Sequence, residues 1–144
     1  MPHETLLKFN YPHTLVQEYA HWVVLLRPKQ VTVGSLVFAC KEELTRLPDL
    51  SPAAFAELQR VTSDIEQALK QAFTFDKINY LLLMMVDKQV HFHVIPRYAS
   101  SREACGVVFT DADWPKPPDV TKGVDLSEQQ FAALLALVKS HWPA

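Results

Sequence analysis

Apolar positions change their spacing several times along the chain, and each change marks an element. Thr14 to Tyr19 and His21 to Leu26 are rich in β-branched and aromatic residues and predict two strands. Pro28 interrupts the pattern, and Gly34 marks a turn before a third strand, Ser35 to Cys40. Phe55, Leu58, Val61, Ile65, Leu69 and Ala72 then recur at three- and four-residue spacing, with Glu57, Arg60, Asp64, Gln67 and Lys70 between them. This is an amphipathic helix, with Ser51 suited to the N-cap and Pro52 to the first helical position, where its missing N–H costs nothing. Lys77 to Met85 reads as a mostly buried strand and Gln89 to Pro96 as its partner, joined through residues 86–88 as an antiparallel hairpin. Residues 99–125, with Pro115, Pro117 and Pro118, predict an irregular surface loop. Ser127 to Gln130 has the form of a capping box ahead of Phe131, Leu134, Leu135 and Val138. The predicted class is α+β, an antiparallel sheet of about five strands with two main helices able to cover one face.

Composition narrows the function classes. At 144 residues the chain suits one domain spanning residues 1–144. Fourteen Lys and Arg against sixteen Asp and Glu give a net charge of -2, which does not supply the clustered positive charge that holds nucleic acid. The longest apolar runs, Trp22 to Leu26 and Leu81 to Val86, are far shorter than the roughly 20 residues of a membrane helix, so no membrane partner is expected. Met1 to Glu4 lacks the basic and apolar regions of a signal peptide, and a cytoplasmic protein is expected. Cys40 and Cys105 form no CxxC pair, which excludes a zinc ribbon and a thioredoxin-type motif. With glycine only at positions 34, 106 and 123, neither a Rossmann turn nor a P-loop can be written.

The segment Gln89 to Arg97 carries the candidate chemistry. In a strand, side chains alternate between faces, so Val90, Phe92 and Val94 point one way, towards the core. Gln89, His91 and His93 point the other way as a polar row. Several readings fit such a row. It can be a wetted sheet face, since antiparallel sheets often leave one side in water. It can be a pair of core histidines satisfied by main chain, or a two-imidazole metal site, although zinc asks for three or four ligands and no further cluster offers them. It can also be catalytic, because imidazole acts as nucleophile or proton carrier near neutral pH.

The segment resembles the signature of the histidine triad family of nucleotidyl hydrolases and transferases, in which three histidines alternate with apolar residues. His91 and His93 stand at the middle and last positions, followed by Val94, Ile95, Pro96 and Arg97 in the style of the fragile-histidine-triad diadenosine polyphosphate hydrolases. The resemblance extends to Val23 through Val37, similar to the family segment that lies under the nucleoside and ends in a glycine before a buried strand. Gln89 occupies the first triad position, where a carboxamide can donate a hydrogen bond but cannot shuttle a proton. Leu82 to Lys88 contains no glycine where relatives have a Gly-rich loop along the phosphates. Arg27 stands near a ribose-contacting position, and Ser35 stands where a histidine is common. Arg27 reads either as a salt-bridged surface residue or as a phosphate contact.

The resemblance implies a nucleotide-binding hydrolase or nucleotidyltransferase acting on a purine nucleotide derivative, such as a dinucleoside polyphosphate. His91 would attack the α-phosphorus, His93 would orient it or stabilise its charge, and Gln89 would contact phosphate oxygens. Arg27 and Ser35 would bind substrate. The same resemblance implies a homodimer and a small-molecule nucleotide partner; no cofactor or metal site is assigned from the sequence. The alternative is a nucleotide-binding module whose catalysis is weak or lost.

Overall fold

The computed structural model describes residues 2–143. A short helix α1 (Glu4–Lys8) opens the chain, followed by strands β1 (Leu15–Glu18), β2 (Trp22–Leu26), β3 (Lys29–Gln30) and β4 (Leu36–Cys40). Helix α2 (Pro52–Phe73) leads to β5 (Lys77–Leu81) and β6 (His91–Arg97). A hairpin of β7 (Arg102–Ala104) and β8 (Val107–Phe109), a short β9 (Val124–Asp125) and helix α3 (Glu128–Ser140) complete it. The main sheet has five strands in the order β1-β2-β4-β6-β5, every pairing antiparallel. The α+β class and the five-stranded antiparallel sheet are as the sequence predicts.

Both long helices start where capping chemistry places them. Ser51 Oγ accepts from the Ala54 N–H at 3.1 Å, with Pro52 opening α2. Ser127 and Gln130 exchange reciprocal side-chain bonds at the start of α3. The apolar faces of α2 and α3 cover one side of the sheet, where Val61, Ile65, Leu69, Leu134 and Val138 share a core with Val24, Leu26, Leu36, Phe38, Val90 and Val94. Within it the Phe38 and Phe92 rings stack at 4.9 Å, and Trp22 meets Phe38 edge to face at 5.5 Å. Gly34 sets the turn before β4 at φ 87°, and a Cβ there would stand 2.9 Å from the Phe73 ring of α2.

The opposite face is covered too, and this explains the unbroken apolar runs of β2 and β4. Leu6 and Phe9 pack on Val23, Leu25, Val37 and Ala39, the other half of each strand's side chains. α1 is fastened there by His3, whose Nε2–H donates to the Cys40 carbonyl at 2.6 Å while Nδ1 accepts from the Leu6 N–H. The sequence pattern did not predict α1.

Two further expectations are corrected. The strand expected over Lys77 to Met85 ends at Leu81, and residues 82–90 form an open connection rather than a tight hairpin. Met84 takes a left-handed conformation, φ 50°, which breaks the extended backbone, and the apolar side chains of the segment line a cleft instead of a ladder. β5 and β6 still pair, Lys77 opposite Arg97 and Leu81 opposite His93. The region 99–125 is more ordered than expected. Cys105 and Gly106, both at positive φ, turn the β7–β8 hairpin, and β9 pairs with β3.

Candidate functional site

The central strand β6 carries the site. Val90 and Val94 are buried among the helices and Phe92 packs beside them. His91 and His93 project from the other face and line one cleft of about 420 Å³. Across the sheet they lie opposite Ala39 and Val37, small and apolar residues that leave room for imidazoles. The rings meet edge to face at 5.1 Å between centroids, and Phe9 caps both, at 6.1 Å from His91 and 5.8 Å from His93. Only 1% of His91 and 7% of His93 remain exposed, so the row is not a wetted sheet face.

The two imidazoles differ in their partners. His91 Nδ1 lies 2.7 Å from the main-chain oxygen of Gln89. A carbonyl only accepts, so the proton sits on Nδ1 and the lone pair on Nε2. Nδ1 of His93, by contrast, is buried and makes no hydrogen bond among the described residues. Burial, reinforced by the nearby Arg27 guanidinium and by His91, pushes the His93 pKa down to about 4. His93 is therefore neutral at neutral pH.

Arg27, at the end of β2, reaches the same cleft. Its guanidinium donates to the carbonyls of Lys29, at 3.2 Å, and Val120, at 2.9 Å, and its Nε is buried without a partner. It has no carboxylate partner among the described residues, so it is not the salt-bridged surface residue that was one of its two readings. Burial lowers its pKa, but a guanidinium stays charged. Gln89 does not line the cleft. Its Oε1 accepts from Thr5 Oγ1 at 2.5 Å, which ties the strand entry to α1. Ser35, expected at the substrate, is fully buried away from the cleft, its hydroxyl donating to the Thr32 carbonyl at 2.7 Å. The turn it stabilises includes Gln30, whose Oε1 accepts from the Gly34 and Ser35 N–H groups.

Several cleft residues escaped the sequence pattern. Lys8 and Phe9 come from the α1 end, Leu83 to Asp87 from the connection before β6, and Val120 and Thr121 from the loop before β9. Lys29 was within reach of prediction, two positions from Arg27 on the same extended segment. Three cations, Lys8, Arg27 and Lys29, face a single carboxylate, Asp87, so the cleft favours an anion. No group of three or more His, Cys, Asp or Glu side chains placed to hold a metal occurs among the described residues. A larger groove, about 730 Å³, runs along β5 beside Trp114 to Pro118, but no histidine, cysteine or carboxylate lines it among the described residues.

Known structures share this fold. The chain resembles a histidine triad protein from Bradyrhizobium japonicum at 19% identity and TM-score 0.77, covering 99% of this chain and 97% of the other. A histidine triad protein from Marinobacter aquaeolei VT8 matches at 21% identity and TM-score 0.77, over 99% and 95% of the two chains. One from Sinorhizobium meliloti 1021 matches at 20% identity and TM-score 0.76, over 98% and 96%. At such identities the likeness is one of fold. No curated protein sequence matches significantly. The HIT domain model matches residues 8–100, which takes in the β2 segment, α2 and the whole histidine strand, and the chain belongs to the HIT domain family.

Proposed function

We propose that the protein is a nucleotidyl hydrolase or transferase acting on a purine nucleotide derivative, a dinucleoside polyphosphate being the model substrate. The observation that carries this reading is the His91 Nδ1–H bond to the Gln89 carbonyl, which presents a free Nε2 lone pair to an anion-favouring cleft. Nε2 attacks the α-phosphorus and forms a P–N bond. The P–O bond to the leaving phosphate breaks, and its electron pair departs on the leaving oxygen. A water oxygen then attacks phosphorus, the P–N pair returns to Nε2, and the water's proton passes to solvent. In transfer, another hydroxyl takes the place of water.

Arg27 supplies the fixed positive charge for the phosphate, and its unpartnered Nε–H is a donor in reserve. His93 contributes a neutral ring beside His91. Gln89 acts through its main chain, holding the His91 tautomer, while its carboxamide is held by Thr5. The sequence-expected contact of Ser35 with substrate drops out, because its hydroxyl is engaged in the β3–β4 turn.

The second reading, a binding module, is favoured by one feature. Neither Gln89, which cannot titrate, nor His93, held neutral by burial, offers a ready proton for a poor leaving group. One experiment separates the two. Incubation with a panel of nucleotides and dinucleoside polyphosphates, read by released mononucleotide, is combined with acid quench and mass spectrometry. Turnover with a nucleotidyl adduct on His91 is expected. Tight binding with neither turnover nor adduct leaves the binding module standing.

The same reading takes the protein as a cytoplasmic homodimer. β5 is an edge strand, with one side of its main chain unpaired in the sheet, and this supports a two-fold pairing through it together with α2. The free thiols of Cys40 and Cys105 suit a reducing compartment. Light scattering is expected to give twice the 16.4 kDa chain mass, and a particle of the chain mass at tens of micromolar overturns the dimer.

A further inference from the structure

The segment that enters the cleft just before β6 has the wrong side chains to hold phosphate. Leu83, Met84, Met85 and Val86 line the cleft, and the charge the segment brings to it is the carboxylate of Asp87. The cations come from elsewhere: Arg27 and Lys29 from the β2–β3 region and Lys8 from the end of α1. Lys8 Nζ reaches across to Asp87 Oδ1 at 3.2 Å, so the N-terminal helix and the pre-β6 segment meet in an ion pair at the cleft wall. Lys8 is half exposed in that pair, at 51%, whereas Asp87 is mostly buried, at 16%. Lys8 and Asp87 line the same cleft as His91 and His93, which places the pair beside the reacting centre.

We propose that Lys8 reads the phosphate chain beyond the attacked α-phosphorus, exchanging Asp87 for a substrate phosphate, so that the site prefers nucleotides with an extended phosphate tail. The assignment rests on the nucleotidyl-transfer reading above and names the residue that sets its substrate length. Because its lysine is half exposed, water and salt weaken this ion pair, and a multiply charged phosphate competes for the lysine. The exchange leaves Asp87 facing the phosphates, and its repulsion limits the affinity gained. Arg27 is poorly placed for the tail, because two of its N–H groups are committed to the Lys29 and Val120 carbonyls.

The test is isothermal calorimetry with adenosine mono-, di- and triphosphate on the wild type, Lys8→Met, Lys8→Arg, Asp87→Asn and Lys88→Met. Lys88 is an exposed neighbour outside the cleft and controls for net charge. The wild type is expected to favour the triphosphate over the monophosphate. Lys8→Met is expected to reduce that ratio about tenfold, the worth of one charge-assisted hydrogen bond. Lys8→Arg restores it, Asp87→Asn raises it, and Lys88→Met leaves it alone. A ratio unchanged in Lys8→Met, or reduced equally by Lys88→Met, overturns the assignment to Lys8 while nucleotide binding itself stands. Failure of the wild type to bind any of the three overturns the nucleotide reading as a whole. Thermal melts of each variant separate loss of fold from loss of contact.

Discussion

Thr5 and Gln89, far apart in sequence, meet at 2.5 Å, the Thr5 hydroxyl donating to the Gln89 carboxamide oxygen. The bond joins α1 to the residue whose main-chain oxygen holds the His91 tautomer. Thr5→Val keeps the shape and removes the donor, leaving Gln89 Oε1 without its partner. A loss of about 1–2 kcal/mol in urea unfolding is expected. Unchanged stability would mean that water replaces the hydroxyl without cost.

The triad residues predict graded kinetics. His91→Asn removes the nucleophile and is expected to lower turnover by about a thousandfold or more while nucleotide still binds. His93→Asn removes a neutral ring and is expected to cost about tenfold. Gln89→His is expected to preserve turnover, since an imidazole nitrogen can also accept from Thr5 and the main-chain oxygen that holds the His91 tautomer is unchanged. Steady-state kinetics with the substrate found in the panel checks all three. Equal losses at His91 and His93 would contradict the assignment of roles.

Protonation of His93 gives a pH signature. Its folded pKa, about 4, lies below the ordinary histidine value of 6.5, so between these values the unfolded chain binds a proton that the folded chain does not. Stability is therefore complete above about pH 6.5 and falls as pH drops towards 4. Urea midpoints at pH 7 and pH 5 should differ by less in His93→Asn than in the wild type. The His93 ring signals in NMR should remain those of the neutral form through pH 5.5.

Arg97 predicts the largest structural penalty. Its guanidinium grips Asp111 through two bonds, Nε to Oδ2 at 2.7 Å and a terminal nitrogen to Oδ1 at 3.1 Å, and also donates to Asn79. Both partners of the ion pair are nearly inaccessible, at 4% and 3%. Asp111→Ala strands a buried cation and is expected to cost about 3–5 kcal/mol. A change under about 1 kcal/mol in chemical unfolding would show that water reaches Arg97 in its place.

What the sequence made legible depended on period and capping. The alternation from Gln89 to Val94 placed His91 and His93 on one face because two-residue periodicity is a property of any strand. Ser51 and Ser127 announced α2 and α3 through hydrogen bonds that only a helix start can use. The apolar run Leu81 to Met85 misled because residues that line a cleft and residues in a buried strand share the same composition; nothing local reports the turn at Met84. α1 was illegible for a different reason. A helix of five residues has too few turns to show a period, and contacts with Cys40 and Gln89, distant in sequence, hold it. Ser35 was misplaced because resemblance gives a position in a motif, whereas the Thr32 carbonyl decides where the hydroxyl points.

The two faces of β6 divide the work of the strand by residue parity. Even-numbered Val90, Phe92 and Val94 belong to the helix-covered core, and odd-numbered His91 and His93 to the cleft. Damage along this short stretch therefore takes two alternating forms, a chain that melts early and a chain that stays folded but idle. A one-residue slip of β6 against β4 would exchange the two sets, burying imidazoles under α2 and turning valines to the cleft. The chemistry is thus locked to the register of the sheet, and the stacked Phe38 and Phe92 rings, opposite one another in that register, act as its detent.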